Sequence, residues 1–229
     1  MGTKAEFDQY AADYDGMLRD PMRDGFVANR EFYHRRKWLL IQSFLRNRKM
    51  NAGQMDWLDL GCGKGELLSF GSAEFGRVVG CDPSEGMVSD AGRIEVRVQE
   101  SPTQLPFPDN SFDFATAVCV YHHVEEPDRV PLTREIHRVL RPNGTFCMIE
   151  HNPFNPATQF IVRRSPIDVD AHLLTASSAR RYSSAAGLRA IGTEYFLYLP
   201  EKLYDKAPNF EGLLGKLPLG GQYAMFARK

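Results

Sequence analysis

Three glycines within five residues stand out in Gly61-Cys62-Gly63-Lys64-Gly65, directly after the run Leu58-Asp59-Leu60. Glycines at such a point let the backbone turn tightly and approach a ligand with no Cβ in the way. A helix starting behind them adds free N–H groups and the positive end of its dipole. Two phosphate-binding loops share this outline, and each fails at a named residue. The dinucleotide fingerprint G-x-G-x-x-G/A meets Glu66 at its sixth position, a poor neighbour for a pyrophosphate. A Walker A loop ends in G-K-[ST], whereas Gly63-Lys64 is followed by Gly65. A second set of residues, His122, His123, Glu150, His151 and Asn152, is of the kind that moves a proton.

Short apolar runs alternate with helical patterns along the chain. They predict strands over 55–60, 77–82, 94–98, 112–120, 145–150, 190–199 and 222–227. Helices are expected over 32–45, 66–74, 84–91, 129–140 and 177–186, with a break at Arg141-Pro142-Asn143-Gly144. Such alternation implies right-handed βαβ units and a mostly parallel sheet covered on both faces. In this frame the proton-moving residues fall at the carboxyl ends of the fourth and fifth strands, where open α/β sheets place ligands. Residues 151–175 carry three prolines and no sustained period, so they are expected to form a long loop on the active-site side. The whole of 1–229 is expected to be one domain: a helical cap over 1–50, a cofactor core over 51–150, and a substrate-side loop with the last strands over 151–229.

The pattern h-D-h-G-x-G-x-G (h, apolar) resembles motif I of the class I S-adenosylmethionine (SAM)-dependent methyltransferases, and the resemblance extends from about residue 56 to 150. It is similar to the small-molecule branch of that family in the stretch LPFPDNSFDFATAVCVYHHVEEPDRVPLTREIHRVLRPNGTFCMIE. The resemblance implies a Rossmann-like, doubly wound α/β fold in three αβα layers, with seven strands in the order 3-2-1-4-5-7-6 and the last one antiparallel. It implies SAM as cofactor, S-adenosylhomocysteine as product, and no metal ion. By the same resemblance the cofactor lies on Gly61, Cys62 and Gly63, with Asp59 and Gly61 under its amino group and Val118 nearby. Asp82, followed by Pro83, matches the family's acid for the ribose hydroxyls, since a carboxylate accepts both diol hydrogen bonds. Met87 matches the apolar residue on an adenine face, and Ser101 and Pro102 match the loop along the adenine edge. The opening FDQYAADYD resembles a segment that folds over the cofactor, which points to Tyr14 and Tyr10 as lid residues.

Methyl transfer from a sulfonium is an in-line displacement that asks mainly for alignment and a dry site. A base is needed only where the acceptor must lose a proton. His151 is the preferred base and His123 the second candidate, although His123-Val124 also matches a family position independent of the acceptor. The end of the fourth strand reads Cys119-Val120-Tyr121-His122 and lacks the [DNS]-P-P-[YFW] of many base-modifying enzymes. The expected acceptor is therefore a small molecule methylated at oxygen or nitrogen. Residues 150–174 and 217–223 resemble methyltransferases of glycan and secondary-metabolite pathways. From Arg30 to Lys49 run seven Lys and Arg against Glu31 alone, so Arg35 or Arg36 is a candidate for an anionic group. A SAM-fold scaffold without catalysis and a nicotinamide-dependent oxidoreductase are the competing readings.

Composition narrows the rest. With 28 Lys+Arg against 29 Asp+Glu, the net charge of −1 gives no global drive toward nucleic acid or anionic membranes. At 43% hydrophobic and 25% charged the chain reads as globular, without a bilayer-length apolar run or a secretory leader. Glu6 stands where a myristoylation signal wants Ser or Thr. Cys62, Cys81, Cys119 and Cys147 are spread too widely for a zinc site or disulfide framework, so a cytoplasmic address is expected.

Overall fold

Phe112–Val118 is the most strand-like run of the sequence, and it becomes β4, the middle strand of the sheet. The computed structural model describes residues 14–17, 20–27, 29 and 31–229. Around β4 lie β1 (Asp56–Leu60), β2 (Arg77–Asp82), β3 (Glu95–Val98), β5 (Leu140–His151), β6 (Arg189–Phe196) and β7 (Gln222–Arg228). Their order is β3-β2-β1-β4-β5-β7-β6. All neighbours are parallel except β7, which runs antiparallel to both β5 and β6. This is the order and the antiparallel last strand that the resemblance implies.

Period-two side chains send the strands' apolar residues to two faces, and helices cover both. On one face Trp57, Phe114, Cys147, Ile149 and Phe226 pack under the helices Glu31–Asn47 and Glu66–Gly71. Trp38 stacks on Trp57 at 5.8 Å, and Phe75 lies 4.9 Å from Trp57 and 6.0 Å from Phe114. On the other face Leu58, Ala115, Phe146, Met148 and Met225 join the buried sides of the helices Glu126–Val139 and Ala176–Ala185. The register sets Asp59 beside Thr116 across β1 and β4. Thr116 Oγ1 accepts from the Trp57 indole N–H at 2.8 Å and donates to Asp59, so the core fixes a carboxyl at the strand tip.

Two expectations need correction. Residues 151–175 are not one loop, because the helix Pro156–Arg164 occupies their middle, followed by a 3-10 turn at Pro166–Asp168. Asn155 caps that helix by accepting from the Thr158 N–H at 2.9 Å, and Pro156 sits at the first turn, where its missing N–H costs nothing. The break at residues 141–144 is absorbed into β5, with Asn143 at φ 68°. Two short helices, Glu201–Tyr204 and Pro208–Leu214, add to the C-terminal part. No helix of the described residues is long and apolar enough to cross a membrane, and all four cysteines are free.

Phe114 lies at the centre of the aromatic layer and is fully buried. Phe114→Ala should lower the unfolding free energy by about 3–5 kcal/mol, as other buried phenylalanine truncations do. Urea unfolding with an unchanged slope is the measurement that checks it.

Candidate functional site

The loop after β1 is shaped by backbone angles that favour glycine. Gly61, Gly63 and Gly65 have φ of 63°, 55° and 78°. A Cβ at Gly61 would lie 2.4 Å from Val120 Cγ2, so a side chain there is excluded twice over. The Gly61 and Cys62 N–H groups donate to the Cys81 carbonyl at 2.8 and 3.1 Å, which binds the loop to the tip of β2. Asp82 completes the tie. Its Oδ2 accepts from the Gly63 N–H and its Oδ1 from the Ser84 N–H, each at 2.9 Å. Ser84 in turn accepts from the Met87 N–H at 3.2 Å and caps the short helix Glu85–Ser89. Cys62 packs against Gly80, where a Cβ would lie 2.4 Å from its sulfur, and burial raises its thiol far above the usual range.

This loop forms one wall of a cavity of about 880 Å³. Of the residues picked from the sequence, Asp59, Gly61, Cys62, Gly63, Asp82, Pro83, Met87, Val118, His123 and His151 all line it. Ser101 and Pro102 are not part of its described wall; Gln99 stands there instead. The Gln99 amide N–H donates to the Ser101 carbonyl at 2.8 Å, which leaves buried Oε1 with no partner among the described residues. Tyr14 opens the helix Tyr14–Met17, but its side chain, like all of Tyr10, lies outside the described residues.

The residues present fit SAM. Asp82 brings a carboxylate, the acceptor a ribose diol calls for, to the cavity wall, and the loop leaves space above Gly63, where a Cβ would meet only Glu66 Oε2, at 3.7 Å. Gln99 Oε1 offers an orphaned acceptor to an exocyclic amine, beside the apolar Met87. Asp59 offers a carboxyl to an ammonium group. Burial pushes that carboxyl up to about 7, against the lowering effect of the Thr116 hydrogen bond.

The opposite wall of the cavity is a cluster of titratable groups. Fully buried Glu150, near the end of β5, accepts from the Val120 and Tyr121 N–H groups at 3.0 and 2.7 Å. Its other oxygen lies 2.6 Å from His122 Nδ1. His122 Nε2 and His123 Nε2 approach one oxygen of Asp168 at 3.4 and 3.5 Å, and the His151 ring lies 5.2 Å from that of His122. Burial alone would lower the His122 pKa, but Glu150 and Asp168 raise it to about 10. Burial, with His122 beside them, lowers His123 and His151 to about 4, so both are neutral at pH 7. Asp168 is held well below the usual carboxylate range: burial opposes this, and the contact with His122 outweighs it.

Sequence reasoning brought His123 and His151 to this wall but did not single out Asp168, Gln99 or Lys37. Asp168 sits in the 3-10 turn of a segment expected to be loop, and a glutamine two places before Ser101 carries no motif. The basic run is also corrected. Arg35 pairs with Glu201 and Asp205 at 3.5 and 3.1 Å, and buried Arg36 pairs with Glu211 under the Tyr204 ring. Neither lines the cavity, whereas His34 and buried Lys37 from the same helix do. Burial, reinforced by Lys37, lowers the His34 pKa to about 3.

Comparison with known proteins agrees with this fold. A family model described as a methyltransferase domain matches residues 58–148. A demethylmenaquinone methyltransferase of Symbiobacterium thermophilum is 38% identical over 120 residues, covering 45% of this chain and 45% of that protein. An uncharacterized methyltransferase of Bacillus subtilis is 33% identical over 102 residues, covering 41% of this chain and 40% of the other. The match thus spans less than half the length of these curated relatives. Among solved structures, a SAM-dependent methyltransferase from Archaeoglobus fulgidus superposes with a TM-score of 0.63 at 18% identity, over 84% of this chain and 94% of that one. A SAM-dependent methyltransferase from Mesorhizobium loti gives 0.59 at 22% identity, over 82% and 96%. The chain thus has the fold of these solved structures, and its residues 58–148, which include the glycine loop, match the methyltransferase-domain model.

Proposed function

We propose that the protein transfers a methyl group from SAM to a small molecule, at a hydroxyl group carried on an apolar ring. One observation supports this most directly: a single cavity is lined on one side by Asp59, Gly61, Gly63 and Asp82 and on the other by His122, His123, His151 and Asp168. SAM supplies a methyl group already activated on a sulfonium sulfur. The chain then has three tasks: to grip the donor, to align the acceptor and to keep water out. Asp82 and Gln99 grip by accepting hydrogen bonds, and Asp59 by opposing positive charge. Phe26, Ile161, Val162, Ile167 and Leu197 give the cavity an apolar wall suited to a ring more than to a glycan. The demethylmenaquinone methyltransferase relatives make a quinol-type ring the first acceptor to try. His151, neutral at pH 7, holds a lone pair ready for the acceptor's proton, with His123 beside His122 as the second candidate. No nucleic-acid partner is proposed, because the chain has a near-neutral charge.

Calorimetric titration with SAM and mass spectrometry of ligands released on denaturation test the cofactor. Saturable binding with wild type, weakened at least tenfold in Asp82→Ala, is expected, since one carboxylate both holds the loop and accepts from the ribose. Unchanged affinity in that variant would sink the ribose assignment. His151→Ala should lower kcat at least a hundredfold with SAM affinity little changed; full turnover would remove His151 from the mechanism.

The buried Asp59 carboxyl gives a pH signature. With a folded pKa of about 7 it is largely protonated below that value and cannot oppose an ammonium group. SAM affinity should therefore fall about tenfold from pH 8 to pH 6, following the loss of one carboxylate. Asp59→Asn should flatten that dependence, and an equally steep slope in the variant would place the titrating group elsewhere.

A further inference from the structure

Two distances at the histidine wall are poor hydrogen bonds. His122 Nε2 and His123 Nε2 stand 3.4 and 3.5 Å from the same oxygen of Asp168. Good N–H···O bonds fall at about 2.7–3.2 Å. These two separations are also close to the edge of a donor tetrahedron around a cation with bonds of about 2.1 Å, which is roughly 3.4 Å. The three donor atoms all lie within 4.8 Å of one another. A second, independent feature is the partner on the far side of His122. Its Nδ1 lies 2.6 Å from Glu150 Oε2, and the other oxygen of that carboxylate is fixed by the Val120 and Tyr121 N–H groups. A carboxylate holding Nδ1–H fixes the ring angle, so that a cation displacing the Nε2 proton would meet a nitrogen already aimed at it, the arrangement found behind metal-bound histidines. All three ligand residues line the cavity, which leaves the remaining coordination positions facing a substrate or water.

We infer that His122, His123 and Asp168 form a binding site for a divalent transition-metal cation of the zinc class, with Glu150 orienting His122. Two imidazoles and one carboxylate suit Zn²⁺, Fe²⁺ or Mn²⁺ better than Mg²⁺ or Ca²⁺, which prefer oxygen ligands. Sequence spacing does not announce the site, because the two histidines are adjacent and the carboxylate comes from a different segment. A cation there would polarise an acceptor oxygen and favour loss of its proton. That use rests on the methyl-transfer reading, whereas the binding of the cation does not.

Titration of the metal-free 229-residue chain with CoCl₂, followed by visible d–d absorption, is the deciding experiment. One-to-one saturation is expected, with Zn²⁺ displacing the Co²⁺ signal. Asp168→Asn and His123→Ala should each weaken Co²⁺ binding at least tenfold while retaining the wild-type far-UV circular dichroism. No saturable signal up to millimolar Co²⁺, or binding undiminished in both variants, would overturn the site. Parallel SAM calorimetry separates the two claims: Co²⁺ binding without SAM binding would keep the cation site and sink the methyl-transfer reading, and SAM binding without Co²⁺ binding would do the reverse.

Discussion

The histidine wall of the cavity depends on one buried carboxylate. Glu150 is fully inaccessible, and burying a charge is affordable only where hydrogen bonds and opposite charge surround it. It meets that condition with two backbone N–H groups and one imidazole, all from the segment that follows β4. That segment turns sharply, with Cys119 in the left-handed region at φ 57°, a conformation that persists only when its surroundings enforce it. The Glu150 bonds to the next two residues, together with the Cys119 N–H to Ile149 carbonyl bond of 2.8 Å, supply the enforcement. Removing this carboxylate would release the turn, and with it His122 and the group gathered around it.

Asp82 plays the matching part at the glycine loop, and the two carboxylates sit at the tips of different strands for a topological reason. The strand order runs one way through β1, β2 and β3 and the other way through β4 and β5. The loops after β1 and β4 therefore diverge and leave a crevice at the reversal. The residues proposed to hold the donor come from the β1 and β2 tips, and the histidines of the facing wall come from the β4 and β5 tips. The indole of Trp57 reaches the same crevice from below through Thr116 and Asp59, so core packing and ligand chemistry share one hydrogen-bonded chain.

Much of this was readable from residue types. Strands buried on both faces show as continuous apolar runs, and glycines at positive φ beside an acid form a pattern that few folds need. The glycine loop and Asp82, which line the cavity, are local to that pattern and were therefore legible. The parts that were not legible depend on distant contacts. Asn155-Pro156 is a helix start that the prolines around it disguised, and with the helix missed, the placement of Asp168 was invisible. Gln99 acquires meaning only when its amide is turned by the Ser101 carbonyl. Arg35 and Arg36 read as candidates for an anion, and nothing nearby in the sequence reveals that acids near residue 200 and beyond claim them first.

Those arginines carry a consequence for the order in which the molecule can be built. Arg36 lies 175 positions before Glu211, its buried partner, and Arg35 lies 166 and 170 before Glu201 and Asp205. During synthesis the helix Glu31–Asn47 emerges early, yet docking it fully would bury a guanidinium that has no counter-ion until Glu211 leaves the ribosome. An unpaired buried charge is costly enough to hold that docking back. The helix that carries Lys37 into the cavity wall is thus secured late, by contacts of very long sequence separation, which are slow to close. The central strands can pair first, and the pocket gains its finished wall only when the two distant parts of the chain meet.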